Sequence, residues 1–372
     1  MIIGVPKEIK ALEFRAGLVP ASVRELVHHG HQVLTESQTG VGIGFQDHDY
    51  AQAGAKVVQT KEEVYERAEL IVKVKEPQEN EFHLLHEGQI LFAFLHLAPD
   101  PIQAQGLIDS RCIAIAYETV TDHLGGLPLL APMSEVAGRM AAQAGAHYLE
   151  KTQNGLGILL GGVPGVHPGR TTIIGGGVVG TNAARICLGM GSEVVIIDKS
   201  PKRLRELDIL LESRVKTIVP TLETIESYVC QSDLVIGAVL VPGGSAPKLI
   251  TQAMVKCMQP GSVLIDVAID QGGCCQTSRP TTHENPIYVV DDVIHYCVTN
   301  MPGAVPRTSA FALNNATLPH ILNIASKGVH QALRDDEHLR NGLNVYRGAI
   351  THQTVAQALD IPYVFAHEVL KT

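Results

Sequence analysis

The sequence predicts an α/β protein made of two doubly wound domains, the second inserted into the first. Three patterns carry that expectation. Short apolar segments alternate with helix-length ones through the first part of the chain. A long alanine-rich segment and a glycine- and proline-rich connector then interrupt the alternation, and a second alternating block follows before a helical C-terminal stretch. Alternating β and α patterns imply parallel sheets covered by helices, and 372 residues suit about two domains. The expected boundaries are 1–130 and 305–372 for the first domain and 131–304 for the second.

The elements follow in order. MIIGV reads as a strand, PASVRELVHHG as a helix from Ala21, and HQVLTES as a second strand. After the glycine-rich turn TGVGIGF and another helical segment come the strands AELIVKV, QILFAFL and CIAIAYE. In PMSEVAGRMAAQAGAHYLEKTQ, Ser134 is a good N-cap for a long helix, because the residues after it are rich in alanine and free of proline. Small residues through its middle let other backbones pack closely. The connector GGVPGVHPGR leads to the strands TTIIG, EVVIID, VKTIV, DLVIGAV, SVLIDVAI and IYVV. Beyond NMPGAVPRTSAFALNNAT the pattern is helical to the end.

Composition excludes several functions. A net charge of −9, no tryptophan and only 4% aromatic residues leave neither a basic surplus nor a stacking platform for nucleic acid. The most apolar run, QILFAFLHLA, is far short of the roughly 18 residues a membrane span needs. MIIGVPKEIK reaches charge and proline too early for a signal peptide. The seven cysteines contain no CxxC pair, the profile of reduced, mostly buried thiols in a cytoplasmic protein rather than a disulfide framework or zinc site. The adjacent Cys274 and Cys275 have no derivable role. The 17 histidines include no HExxH, and HLLH lacks patterned partners, so no metal is expected.

The most specific motif is TIIGGGVVGTNAARIC. Gly175, Gly177 and Gly180 follow an apolar strand and open a helix, and the next strand ends in Asp198, about 20 residues on, as a dinucleotide fingerprint requires. Gly175 permits the tight turn, Gly177 the approach of a pyrophosphate, and Gly180 close packing of helix on strand. The phosphates then sit on the helix N-terminus. Asp198 accepts from an adenosine ribose and repels the 2′-phosphate of NADP, so NAD is the expected cofactor. Lys199, Lys202 and Arg203 close by work against that preference, because cations can receive a phosphate, and Arg203 is a candidate to contact the cofactor. The inserted domain is therefore read as a Rossmann NAD-binding domain within a discontinuous Rossmann-like substrate domain.

In open parallel sheets, ligands bind beyond the carboxyl ends of the strands. There the first block places Lys75 (LIVKVKEP), His96 (LFAFLHLA) and Glu118 (IAYETV), and the second places Asp270 (IDVAIDQGG). Each has a plain alternative: an edge-guarding lysine, a core histidine, a helix-capping acid, a turn former. Together they point to a cleft between the domains. Hydride transfer to a nicotinamide needs a substrate fixed by its carboxylate, which a lysine paired with a guanidinium such as Arg15 can do. It also needs a base near neutrality, which histidine supplies, and a carboxylate beside developing iminium charge. Lys73, two residues before Lys75 on the same strand face, has no role that the sequence explains, and its plain alternative is a solvated side chain.

These strings, with GGVPGV, APKLI, LPLLAPMSEVAGR, DLVIGAVLVPG, SRPTTH and HYCVTNMPGAVPRTS, closely resemble the bacterial alanine dehydrogenase family over nearly the full length. The resemblance implies NAD-dependent oxidative deamination of L-alanine to pyruvate and ammonium, and the reverse amination. It implies Arg15 and Lys75 as the substrate-carboxylate pair, Met133 near the substrate, and His96 and Asp270 as the catalytic pair. Ser134, Gly175, Gly177, Gly180, Asp198 and Asn300 match cofactor-contacting positions. A homohexamer is implied, with the long helix around Met140 at or near subunit contacts. Val19 departs from the family pattern, which commonly has a hydroxyl residue there. The nearest rival is the NAD(H)-binding component of proton-translocating transhydrogenase, which needs no amino-acid site. An opine-forming dehydrogenase acting on lysine and a catalytically silent NAD sensor are further readings.

Asp198→Ala is expected to weaken NAD much more than NADP in parallel titrations. Equal losses for the two cofactors would remove the ribose assignment.

Overall fold

The computed structural model describes residues 1–239 and 246–371, so the last part of the DLVIGAVLVPG string lies outside the described residues. The chain forms two compact units, Met1–Met133 with Val305–Thr372, and Ser134–Ala304.

In the first unit, β1 (Ile2–Val5), β2 (Gln32–Glu36), β3 (Lys56–Val58), β4 (Leu70–Val72), β5 (Ile90–Ala93) and β6 (Ile113–Ala116) pair in parallel in the order β3-β2-β1-β4-β5-β6. Every residue of β4, β5 and β6 is buried, which is why these segments read as continuous apolar runs: a parallel sheet is covered on both faces. The helices between them start on local caps. The Thr60 hydroxyl accepts from the Glu63 N–H, and Asp100 accepts from the Gln103 N–H with Pro101 in the first turn. The edge strand β3, KVV, was not expected.

The second unit contains β7 (Arg170–Ile174), β8 (Glu193–Ile197), β9 (Lys216–Ile218), β10 (Leu234–Gly237), β11 (Val263–Asp266), β12 (Ile287–Val290) and β13 (Val293–Tyr296). Its parallel strands run β9-β8-β7-β10-β11-β13, with β12 antiparallel at the edge. Counted from β7 this is 3-2-1-4-5-6, the order of dinucleotide-binding domains, and counted from β1 the first unit repeats it. The expected IYVV strand is thus the antiparallel edge, while the buried β13, VIHY, was overlooked.

The helix Ala131–Tyr148 begins before Ser134. Pro132 sits in its first turn, where a missing N–H costs nothing, so Ser134 lies inside the helix and is not its cap. Gly138 packs directly on the Val179 carbonyl, bringing this helix against the helix Val178–Gly189 backbone to backbone.

Five cysteines, Cys112, Cys187, Cys274, Cys275 and Cys297, are buried thiols. Cys230 and Cys257 are instead joined in a disulfide, Cα atoms 5.1 Å apart, at the ends of the helices Leu222–Cys230 and Gln252–Cys257. The expectation of thiols throughout therefore fails for this pair, because helix packing brings together residues 27 apart in sequence.

The C-terminal stretch is not wholly helical. β14 (Leu343–Tyr346) and β15 (Ala349–Ile350) extend the first sheet beyond β6 as antiparallel strands, making eight in all. The helix Pro306–Lys327 carries the buried Asn314, whose Oδ1 accepts from the Val19 N–H (2.9 Å) and whose Nδ2 donates to the Gly17 carbonyl (3.1 Å). No helix among the described residues is long and apolar enough to cross a membrane.

Asn314→Ala leaves these backbone groups buried and unpaired and should lower unfolding free energy by about 1–3 kcal/mol, read as a reduced urea midpoint of the unit that contains it.

Candidate active site

In the first unit, β4, β5 and β6 lie side by side, so the segments leaving them deliver Lys75, His96 and Glu118 to one edge of one sheet. His96 has a left-handed φ of +49°, uncommon for a residue with a side chain. Glu118 holds this turn: its carboxylate accepts the N–H groups of Leu95 (3.2 Å) and His96 (2.5 Å). The imidazole stacks on Phe94 with ring centroids 5.8 Å apart and its Nδ1 lies 3.8 Å from Glu118. The backbone is pinned while the ring stays about half exposed.

Lys75 is partly buried, and its N–H donates to Glu8 at 3.4 Å. Lys73 is not a solvated side chain. Its ammonium is fully buried, 3.3 Å from Glu8 and 3.2 Å from Glu81. β4 ends at Val72, so strand alternation no longer governs where these two lysines point.

Arg15 is buried in a forked pair with Glu13: Nε donates to Oε1 at 2.6 Å and a terminal nitrogen to Oε2 at 2.5 Å. The other terminal nitrogen lies 3.0 Å from the Met133 sulfur. The structure thus brings together Arg15 and Met133. The partner Glu13 was overlooked, though its spacing in EFR was a usable signal.

In the second unit, β7 turns at Gly175, whose φ is +103°. A side chain at Gly180 would collide with the Gly175 carbonyl, whereas one at Gly177 would meet none of the described residues within 4 Å. The helix Val178–Gly189 has Gly177 at its N-cap, which makes no side-chain cap hydrogen bond. Asp198, at the end of β8, accepts from the N–H of Gly176 and of Ser200, both at 2.8 Å. Arg203 donates to the Gly176 carbonyl (2.7 Å) and the Thr181 hydroxyl (2.8 Å), bracing the glycine turn itself.

Asp270 lies in the 3₁₀ turn Val267–Gln271 that follows β11. The buried Asp266 at the head of that turn accepts from the N–H groups of Ala268 (3.1 Å), Cys274 (2.8 Å) and Cys275 (3.1 Å) and from the Ser278 hydroxyl (2.6 Å). Burial first, and then the Asp266 carboxylate, push the Cys274 thiol well above its ordinary pKa, so it is an inert packing group. Asn300 has a φ of +58°, and its carbonyl is 3.1 Å from His283 Nε2. Ser134 is half-buried in the helix Ala131–Tyr148. No group of three His, Cys, Asp or Glu side chains among the described residues could hold a metal.

Two family models match the sequence: alanine dehydrogenase/PNT, N-terminal domain, over residues 4–137, and alanine dehydrogenase/PNT, C-terminal domain, over residues 141–353. The chain belongs to the alanine dehydrogenase/PNT family. Among its relatives, an alanine dehydrogenase of Halomonas elongata is 57% identical over 98% of this chain and 99% of its own length. Alanine dehydrogenase 2 of Staphylococcus aureus is 53% identical over the full length of both. Among solved structures, an L-alanine dehydrogenase superposes with a TM-score of 0.94 at 50% identity, covering 97% of this chain and 99% of its own. The transhydrogenase from Sinorhizobium meliloti superposes at 0.83 with 21% identity over 94% of this chain and all of its own, a likeness of fold. For this member of the alanine dehydrogenase/PNT family, both doubly wound units have counterparts over the whole chain.

Gly180→Ala forces the turn at Gly175 away from the helix. It should weaken dinucleotide binding by roughly tenfold or more, a loss of about 1.4 kcal/mol, in a fluorescence titration with NADH.

Proposed function

We propose that this chain oxidises L-alanine with NAD, releasing pyruvate and ammonium, and catalyses the reverse reductive amination. The observation that carries the reading is the full-length similarity to alanine dehydrogenases, and the charged residues at the strand ends are those the chemistry asks for. The rival reading as the NAD(H)-binding module of a transhydrogenase rests on a likeness of 21% identity and leaves Arg15, Lys75 and His96 without a task.

The glycine turn fits a dinucleotide. Space lies over Gly177, the helix behind it is without a side-chain cap, and the Asp198 carboxylate stands at the neighbouring strand end. Gly175, Gly177 and Gly180 shape the phosphate seat, Asp198 accepts from the ribose, and Ser134, Arg203 and Asn300 complete the contacts. Arg203 acts there through the turn it braces, bound to Gly176 and Thr181, and the Asp198 carboxylate favours NAD over NADP by repelling a 2′-phosphate. When bound, NAD supplies the acceptor for the hydride leaving the substrate Cα.

Arg15 and Lys75 hold the substrate carboxylate, and Met133, in contact with Arg15, limits the space for the side chain. His96 removes a proton from the substrate amine or from the water that later adds to the imine carbon. Asp270 offsets the positive charge of the iminium. The Glu118 carboxylate keeps the His96 backbone fixed, so the ring works from a set position. Small molecules are the only substrates this arrangement requires, with no nucleic-acid or membrane partner. The chain acts as a cytoplasmic homohexamer, the helix around Met140 at or near the subunit contacts.

Absorbance at the NADH band, followed with NAD and a panel of L-amino acids, tests this directly. Fast reduction with L-alanine, slower with serine and none with lysine is expected. Tight NADH binding without turnover of any amino acid would favour the transhydrogenase module.

A further inference from the structure

The Lys73 ammonium is fully buried between two buried carboxylates and serves none of the steps above. Its surroundings are well defined. Glu81 accepts from the Tyr65 hydroxyl at 3.1 Å and from the Gln78 N–H at 2.8 Å. Glu8 is different, because its Oε1 accepts from the main chain next to Lys75, from the Val74 N–H at 2.6 Å and the Lys75 N–H at 3.4 Å. Its Oε2 has no hydrogen bond and faces Lys73 at 3.3 Å.

We propose that Glu8 is a positioning residue for Lys75: its carboxylate, anchored by the buried Lys73, fixes the main chain from which Lys75 reaches the substrate carboxylate. This rests on the role given to Lys75 above. The physical reason lies at the end of β4. Two N–H groups emerge from the sheet into a buried region and need an acceptor. An acceptor charged and tethered by an ion pair holds them more firmly than a neutral one. Burial works to lower the Lys73 ammonium, but Glu8 and Glu81 outweigh it and hold it above the usual lysine value. Burial also pushes the Glu8 carboxyl up, against the pull of Lys73. A buried ion pair of this kind adds little net stability. What it adds is placement.

Two conservative variants separate placement from charge. Glu8→Gln keeps the length and an oxygen for the two N–H groups, and leaves Lys73 balanced by Glu81. Glu8→Asp keeps the charge but withdraws the acceptor by one methylene. The proposal expects Glu8→Asp to raise the apparent KM for L-alanine and pyruvate about tenfold, the loss of roughly one hydrogen bond. Glu8→Gln, which keeps the reach of the acceptor and gives up its charge, should raise it less, by about threefold, and NADH affinity by fluorescence titration should be unchanged in both.

If Glu8→Gln is the more damaging variant, or if both lower thermal stability with KM unmoved, the positioning role is overturned. Lys75→Ala, measured alongside, keeps Glu8 in place. A normal KM for L-alanine in that variant overturns the assignment of Lys75 and the inference with it, by a readout distinct from the Glu8 pair. A raised KM in Lys75→Ala with unaltered kinetics in both Glu8 variants overturns the inference alone.

Discussion

A parallel strand that ends in a loop leaves N–H groups without ladder partners at the carboxyl end of the sheet, the side on which open α/β sheets bind ligands, and here carboxylates take them. Glu8 receives Val74 and Lys75, and Glu118 receives Leu95 and His96. Asp198 receives Gly176 and Ser200, and Asp266 receives Ala268, Cys274 and Cys275. The loops so held carry Lys75, His96, the glycine turn and Asp270. One device thus recurs in both units, at four segments that leave their strands.

Magnitudes explain why acids are used for this. A buried N–H without a partner costs about 1–3 kcal/mol, and a bond to a charged acceptor is worth more than one to a neutral acceptor. Burying the acid itself is also costly, and an ion pair in the interior roughly cancels that cost without exceeding it. Lys73 beside Glu8 therefore makes the carboxylate tolerable at this depth while the N–H contacts fix the loop. Arg15 with Glu13 follows the same logic, a forked pair that holds the guanidinium in one orientation beside Met133.

Much of this was legible from residues alone. The central strands announce themselves because burial on both faces demands unbroken apolar runs, as in ILFA and IAIA. The glycine turn is legible because each glycine answers a separate steric demand, and Gly180 against the Gly175 carbonyl is the clearest. The edge strand KVV and the pair β14–β15 were missed because segments of two to four residues carry too little periodicity. The start of the helix at Ala131 was misjudged because Ser134 makes a plausible cap until Pro132 is seen to fit the first turn. Lys73 reads the same in sequence whether solvated or buried. Only the fold shows that Glu8, 65 positions earlier, reaches it. The Cys230–Cys257 pair was hidden for the same reason.

The most direct test of the carboxylate-held loops is residue-resolved amide hydrogen exchange on the ligand-free protein. The account predicts that the amides of Val74, His96, Gly176 and Cys274 exchange on the order of hundredfold or more slowly than those of an exposed loop, although none is paired in a strand ladder. Exchange at these amides as fast as at the exposed turn around Gly125, where none of the described residues lies within 4 Å of a would-be Cβ, would contradict it.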